Sequence, residues 1–142
     1  MRGWKIQADE EGDEMMKLLN ERNAEEHDLP GRYLRWLVSP ALTGAKYNSV
    51  CVIRILPGCT VTPAHSHPEG EEVIYIIRGT GRVMVDGEIR EVDEGTAVLF
   101  PEGSVHMLQN TGDVEMKVIC FFAPPADLST YKFYEDVKFP ER

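Results

Sequence analysis

The sequence predicts an all-β domain, a sandwich or barrel of short antiparallel strands. Seven short runs rich in apolar and β-branched residues crowd residues 48–123. Each stops at a Gly, Pro, Asn or Asp turn signal, at short and fairly regular spacing. No segment of helical period interrupts them, which argues against alternating β/α units.

The elements follow in order. Residues 1–47 form an N-terminal extension. Its stretch 10–26 is dense in charge, with Met15, Met16, Leu18 and Leu19 as the apolar cluster. Met15, Leu18, Leu19 and Arg22 follow helical spacing and predict a short amphipathic helix, ended by Pro30-Gly31. Residues 33–38 are aromatic and apolar and predict a first strand or arm. Residues 49–56 predict a strand that stops at Pro57-Gly58, and residues 72–77 one that stops before Gly79. Residues 82–85 and 88–92 flank Asp86-Gly87, a pair suited to the positive φ angles of a type I′ hairpin turn. Residues 96–100 run into Pro101-Glu102-Gly103, and residues 105–109 stop at Asn110-Thr111-Gly112. Residues 115–123 form a long apolar strand halted by Pro124-Pro125. The tail, residues 124–142, holds Tyr131, Phe133, Tyr134 and Phe139. That much aromatic area is expected to pack on the barrel or on a partner subunit.

Composition excludes several classes of function. The 142 residues suit one domain, and 42% apolar with 27% charged residues describes a globular protein. With 15 Lys+Arg against 24 Asp+Glu, the formal net charge is −9, which argues against nucleic acid or an anionic membrane as partner. No apolar run approaches the ~20 residues of a membrane span. The first ten residues turn acidic where a signal peptide needs an apolar core, so a cytoplasmic protein is expected. Three widely spaced cysteines form no disulfide or zinc pattern. Cys51 and Cys120 lie in apolar runs and read as core residues, and Cys59 lies in a turn.

The chemistry concentrates in the histidines. Of four, three fall at His65, His67 and His106, while His27 sits in a charged segment and reads as surface. In a strand, positions i and i+2 share a face, so His65 and His67 reach one point in space. Pro68-Glu69-Gly70 then turns the chain into Glu71-Glu72, and His106 follows the Pro101-Glu102-Gly103 turn. Three imidazoles and one carboxylate make a shell for one divalent transition metal (Fe, Mn, Ni, Zn or Cu) rather than Ca or Mg.

The spacing of these residues resembles the cupin superfamily. Gly58, His65-Ser66-His67, Glu72 and Gly79 are similar to its first motif. Gly95, Pro101-Glu102-Gly103, His106 and Asn110 are similar to its second, with every gap met. The loop of residues 59–64 is one residue longer than the family's usual spacer, which does not move the ligands. Spacing to Gly79 selects Glu72 over Glu71, which then points to the opposite face. The resemblance covers residues 48–123. It implies a small single-domain (monocupin, RmlC-like) antiparallel β-barrel of jelly-roll type, with His65, His67, Glu72 and His106 holding a metal inside its mouth. The motif glycines and Pro101 would serve turns, and Asn110 would tie a turn together.

Glu72 facing inward places Ile74 and Ile76 on its side and Tyr75 opposite. Arg54, mid-strand among apolar residues, reads either as a strand-edge arginine or as an anion clamp opposite the metal. Gln109 and Thr96 are weaker candidates for polar lining. Glu69 and Glu102, in the turns beside the ligands, are candidate general bases. Three uses of such a site stay open. One is a metal-dependent enzyme for a small oxygen-bearing molecule, by dioxygenase, isomerase, decarboxylase or lyase chemistry. Another is a barrel that binds a sugar or organic acid without turning it over. The third is a purely structural metal. The resemblance also implies a homodimer, with residues 33–38 as an exchanged arm and the aromatic tail over the dimer surface.

Overall fold

A computed structural model describes residues 7–8 and 14–142, with side chains from Met16 onward. The chain is built almost wholly of strands. They are β1 (Gln7–Ala8), β2 (Glu14–Met16), β3 (His27–Leu29), β4 (Arg32–Val38), β5 (Ser49–Ile55), β6 (Ala64–Ser66) and β7 (Glu71–Arg78). There follow β8 (Gly81–Val85), β9 (Glu88–Val92), β10 (Ala97–Phe100), β11 (His106–Asn110), β12 (Met116–Ala123) and β13 (Lys132–Tyr134). A four-residue helix, α1 (Pro40–Thr43), links β4 to β5, capped by the Ser39 hydroxyl, which accepts from the Leu42 amide at 3.1 Å.

Two antiparallel sheets face each other. One has six strands in the order β10-β7-β12-β5-β4-β3, the other five in the order β13-β6-β11-β8-β9. This is the jelly-roll barrel expected from the sequence. Alternation along each strand decides what lies between the sheets. Cys51, Ile53 and Ile55 from β5, Ile74 and Ile76 from β7, and Val118 and Cys120 from β12 point inward and are buried. Tyr75, between Ile74 and Ile76, is exposed as its parity requires. The β8–β9 turn has positive φ at both Asp86 (48°) and Gly87 (87°), the type I′ geometry predicted for that pair.

The tail packs on its own chain. β13 pairs with β6, and Tyr134, Val137 and Phe139 cover a second, smaller core of Ala64, Met84 and Met107 on the outer face of the five-stranded sheet. Phe139 lies against the Arg82 guanidinium, 4.5 Å from carbon to ring centroid. The stretch 33–38 likewise pairs with β5 of the same chain, Leu34 opposite Ile53 and Trp36 opposite Cys51.

The N-terminal helix is corrected. Part of the expected segment, residues 10–13, lies outside the described residues. Glu14–Met16 pairs with Gln7–Ala8 as a strand, and Glu21–Asn23 makes a single 3-10 turn. The physical reason is tertiary: Arg35 on β4 donates to the backbone oxygens of Glu21 (2.8 Å) and Ala24 (3.0 Å), which ties the segment to the sheet at a single turn closed by the Ala24 amide on Glu21 O (3.1 Å). The charged segment is thus laid across the outer face of the six-stranded sheet. Glu26 joins it there by ion pairs to Arg35 (3.1 Å) and Arg54 (2.8 Å).

Candidate metal centre

Four buried side chains converge inside the barrel. β6 delivers His65 directly opposite His106 on β11, so the two rings share the inner face. His67 follows the end of β6, and its carbonyl accepts from the Gly70 amide at 3.2 Å and the Gly103 amide at 3.1 Å. The two motif turns are thereby tied to one another beneath the ligands. Glu72 enters from β7 in the facing sheet. One ligand atom from each of His65, His67, Glu72 and His106 lies within 4.8 Å of every other.

The ring nitrogens are already assigned by their neighbours. His65 Nδ1 donates to the Pro63 carbonyl (3.2 Å) and His106 Nδ1 to the Ser104 carbonyl (3.1 Å). A carbonyl can only accept, so each neutral ring is left with a bare lone pair on Nε2. His106 Nε2 is buried without a hydrogen-bond partner, 3.2 Å from Glu72 Oε1. Two lone pairs facing across that distance repel unless a proton or cation lies between them. His67 Nε2 is 2.9 Å from the same oxygen, and its Nδ1 is a second orphan. Burial, with His106 beside it, lowers His65 to about 3, so its ring is neutral and free to ligate. Burial would raise the Glu72 carboxyl, and hydrogen bonds and positive charge at His106 and His67 lower it to about 2, which needs a proton or cation on their facing nitrogens. The residues present therefore fit a divalent transition metal.

Aromatic rings fix the orientation of the imidazoles. Phe100 stacks on His106, with centroids 3.9 Å apart and planes 7° from parallel. Tyr131, from the tail, stacks on His65 at 4.7 Å and meets His67 edge-on at 4.4 Å. A partly open hollow beside the cluster holds about 30 Å³. Arg32, Cys51, Cys120 and Tyr131 share its wall with His65, Glu72 and His106. The neighbouring Cys51 thiol and burial push Cys120 up, and burial with nearby Glu72 pushes Tyr131 up, so both stay protonated.

The other residues singled out in the sequence lie elsewhere. Arg54 is on the outer face of β5, bound to Glu26 and to Glu115 (3.1 Å) and stacked on Tyr33. It does not face the cluster, because Cys51, Ile53 and Ile55 take the inward parity. Gln109 is on the outer face of β11, between Arg82 Nε (2.6 Å) and Thr60 Oγ1 (2.8 Å). Thr96 bonds Asp93 in a surface turn. Glu102 is exposed in its turn. Glu69 is also exposed, but it lines a hollow of about 340 Å³ whose wall includes His67. Asn110 is fully buried, donating to Ile55 O and Val114 O (both 2.8 Å) and accepting from the Gly112 amide (2.9 Å).

Sequence reasoning missed Arg32 and the place of Tyr131. For Arg32 a signal existed: it alternates with Leu34 and Trp36, the apolar face of its strand. For Tyr131 none was available, since a tail's destination is not encoded in its periodicity.

An antiparallel jelly roll with a three-histidine, one-glutamate cluster between its sheets defines a class of small β-barrel protein. The family model described as the cupin domain matches residues 51–122, and the chain belongs to that family. It is 32% identical over 95 residues to an uncharacterized protein of Methanocaldococcus jannaschii, covering 67% of this chain and 75% of that one. It is 31% identical over 96 residues to the tetracenomycin polyketide synthase protein TcmJ of Streptomyces glaucescens, covering 68% of this chain and 64% of that one. Among solved structures, the polyketide cyclase RemF of Streptomyces resistomycificus superposes with a TM-score of 0.65 at 23% identity, over 77% of this chain and 80% of that one. No helix among the described residues is long and apolar enough to cross a membrane.

Proposed function

We propose that the protein is a metal-dependent enzyme acting on a small oxygen-bearing molecule, with the metal held by His65, His67, Glu72 and His106. One observation carries this reading: the bare, buried Nε2 of His106 faces Glu72 Oε1 at 3.2 Å, an arrangement that a cation completes. The bound metal would supply Lewis acidity and a template for substrate oxygen. The chain's own residues supply the rest. Phe100 and Tyr131 hold the imidazoles in place and keep bulk water off them. Glu69, on the hollow that reaches His67, is the side chain we assign as proton acceptor. The names of the polyketide relatives favour a ligand rich in oxygen.

The test is metal analysis of the purified protein, followed by turnover assays over organic acids, diols and polyketide-like phenols, with oxygen uptake recorded. Stoichiometric metal lost in His67→Ala supports the site. Metal with no turnover of any substrate moves the reading to a binding barrel. Protein without metal affinity ends it.

We also infer a cytoplasmic homodimer. The three cysteines are free. Tyr75, Ile77, Leu99 and Phe121 leave exposed apolar surface on the outer face of the six-stranded sheet. Light scattering on Phe121→Glu reads the pairing: a dimer turned monomer supports it, and a wild-type monomer removes it.

A further inference from the structure

A second hollow, of about 830 Å³, lies between the outer face of the five-stranded sheet and the tail. That volume falls within the ~300–1,000 Å³ of small-molecule sites. None of the four metal-centre residues lines it, so it is separate from the interior of the barrel.

Its floor carries a row of three polar side chains. Arg82 on β8 stands opposite Gln109 on β11, and Gln109 pairs in turn with Thr60 in the loop before β6. Gly81 lets the two strands press together, since a Cβ there would lie 2.2 Å from the Gln109 carbonyl oxygen. Hydrogen bonds run along the row. Arg82 Nε donates to Gln109 Oε1 at 2.6 Å, and Gln109 Nε2 donates to Thr60 Oγ1 at 2.8 Å. A guanidinium can only donate, which orients the Gln109 amide and makes Thr60 the acceptor at its far side.

Both ends of the row keep unspent donors. Thr60 Oγ1 accepts from Gln109, and its own proton meets no acceptor among the described residues. Arg82 spends Nε on Gln109 and Nη2 on the Pro140 carbonyl (2.6 Å), while Nη1 has no protein acceptor among the described residues. Arg82 is only 7% exposed, and Phe139 covers its guanidinium. No carboxylate pairs with it among the described residues, in contrast to Arg35 and Arg54, which share Glu26.

The unspent donors choose the ligand. A cation and a hydroxyl proton in one row call for a group that only accepts, and a guanidinium edge matches an oxyanion. Charges on the rim do not reverse this. Lys138, Glu135 and Glu141 are exposed there and screened by solvent, and Arg142 is paired with Glu91 at 3.1 Å. The buried guanidinium is screened much less. Met107 and Phe139 add apolar wall for the rest of a ligand.

We propose that Arg82 and Thr60 form a second binding site, on the outer face of the barrel, for a small organic molecule that carries an oxyanion, phosphate or carboxylate.

The test uses phenyl phosphate and benzoate as probes, with benzamide as their neutral counterpart. Each is titrated into wild type, Arg82→Met, Thr60→Val and His67→Ala. The readouts are the saturable shifts of the probe and the Arg82 guanidinium N–H resonances. Expected is saturable binding of at least one anion to wild type, and the anion that binds names the head group. Its affinity should fall by at least about tenfold in Arg82→Met and by roughly threefold in Thr60→Val. It should be unchanged in His67→Ala, and the Arg82 resonances should move with the anion. Failure of both anions to bind, benzamide binding as tightly, or equal affinity in Arg82→Met overturns the proposal. Loss of binding in His67→Ala also overturns it, because the anion would then sit at the metal centre. Where Arg82→Met does not fold, Arg82 resonances that stay silent at saturation in wild type overturn it alone.

Discussion

His106 Nε2 faces Glu72 Oε1 across 3.2 Å, while the other nitrogen of the same ring is bonded to the Ser104 carbonyl. The pair joins the two sheets of the barrel, since His106 lies on β11 and Glu72 on β7. A cation between them would therefore brace the two sheets. Metal at about 100-fold above its dissociation constant should stabilise the fold by roughly 2.7 kcal/mol. The melting temperature should then rise by about 5–10 °C. His106→Ala and Glu72→Gln should abolish that rise, as measured by calorimetry with and without metal. A rise that survives either substitution would place the metal elsewhere.

Acid should unlock the N-terminal segment. The hydrogen bond from Arg54, with Arg35 beside it and against the effect of burial, lowers Glu26 from an ordinary 4.5 to about 2. A carboxyl depressed in the fold contributes stability above its unfolded value and loses it as pH falls through the folded one. Stability should thus be flat above about pH 4.5 and decline toward pH 2. Glu26→Gln should be less stable at neutral pH and show a shallower acid limb. Melting curves from pH 6 to pH 2 check both, with the comparison read as a difference between variants because other carboxylates also titrate.

Arg54→Ala should leave ligand and metal binding unchanged. Its partners are Glu26, Glu115 and the Tyr33 ring, all on the outer face. The half-exposed ion pairs argue for a loss of only about 1 kcal/mol. Urea unfolding alongside metal analysis separates this arginine from Arg32, which faces inward one strand away. Loss of metal binding in Arg54→Ala would contradict the assigned faces.

Asn110→Ala should be severe for so small a change. The side chain makes three hydrogen bonds at 2.8–2.9 Å and is fully buried. Removing it strands the Ile55 and Val114 carbonyls and the Gly112 amide, for a cost of about 2–4 kcal/mol. Denaturant midpoints check this. A loss of metal affinity larger than the stability change explains would mean that the turn also aligns His106.

The strands of the barrel were legible because their evidence is local. Apolar alternation sets which side chains face inward, and Asp86-Gly87 states its own turn. The four convergent side chains were legible because their gaps along the chain resemble the two motifs of a known family. The expected helix at Met15 to Arg22 failed where local spacing met long-range anchoring, since Arg35 on β4 ties the carbonyls of Glu21 and Ala24 to the sheet. The aromatic tail was legible as something that must pack, but not as a strand beside β6.

Arginine parity shows the boundary best. Arg32 and Arg54 both sit in apolar strand sequence, and composition treats them alike. β4 and β5 pair with Tyr33 opposite Arg54, which puts those two on the outside and leaves Arg32 on the side of Leu34 and Ile53. By itself the sequence determined a β-barrel and its turns, and through two family-like motifs the four residues that converge, because each is written in spacings of a few residues. Only the tertiary structure decided which cation meets the site and which ring covers it. Those outcomes depend on strand register and on where the last residues dock, and both are set by packing between segments far apart in the chain.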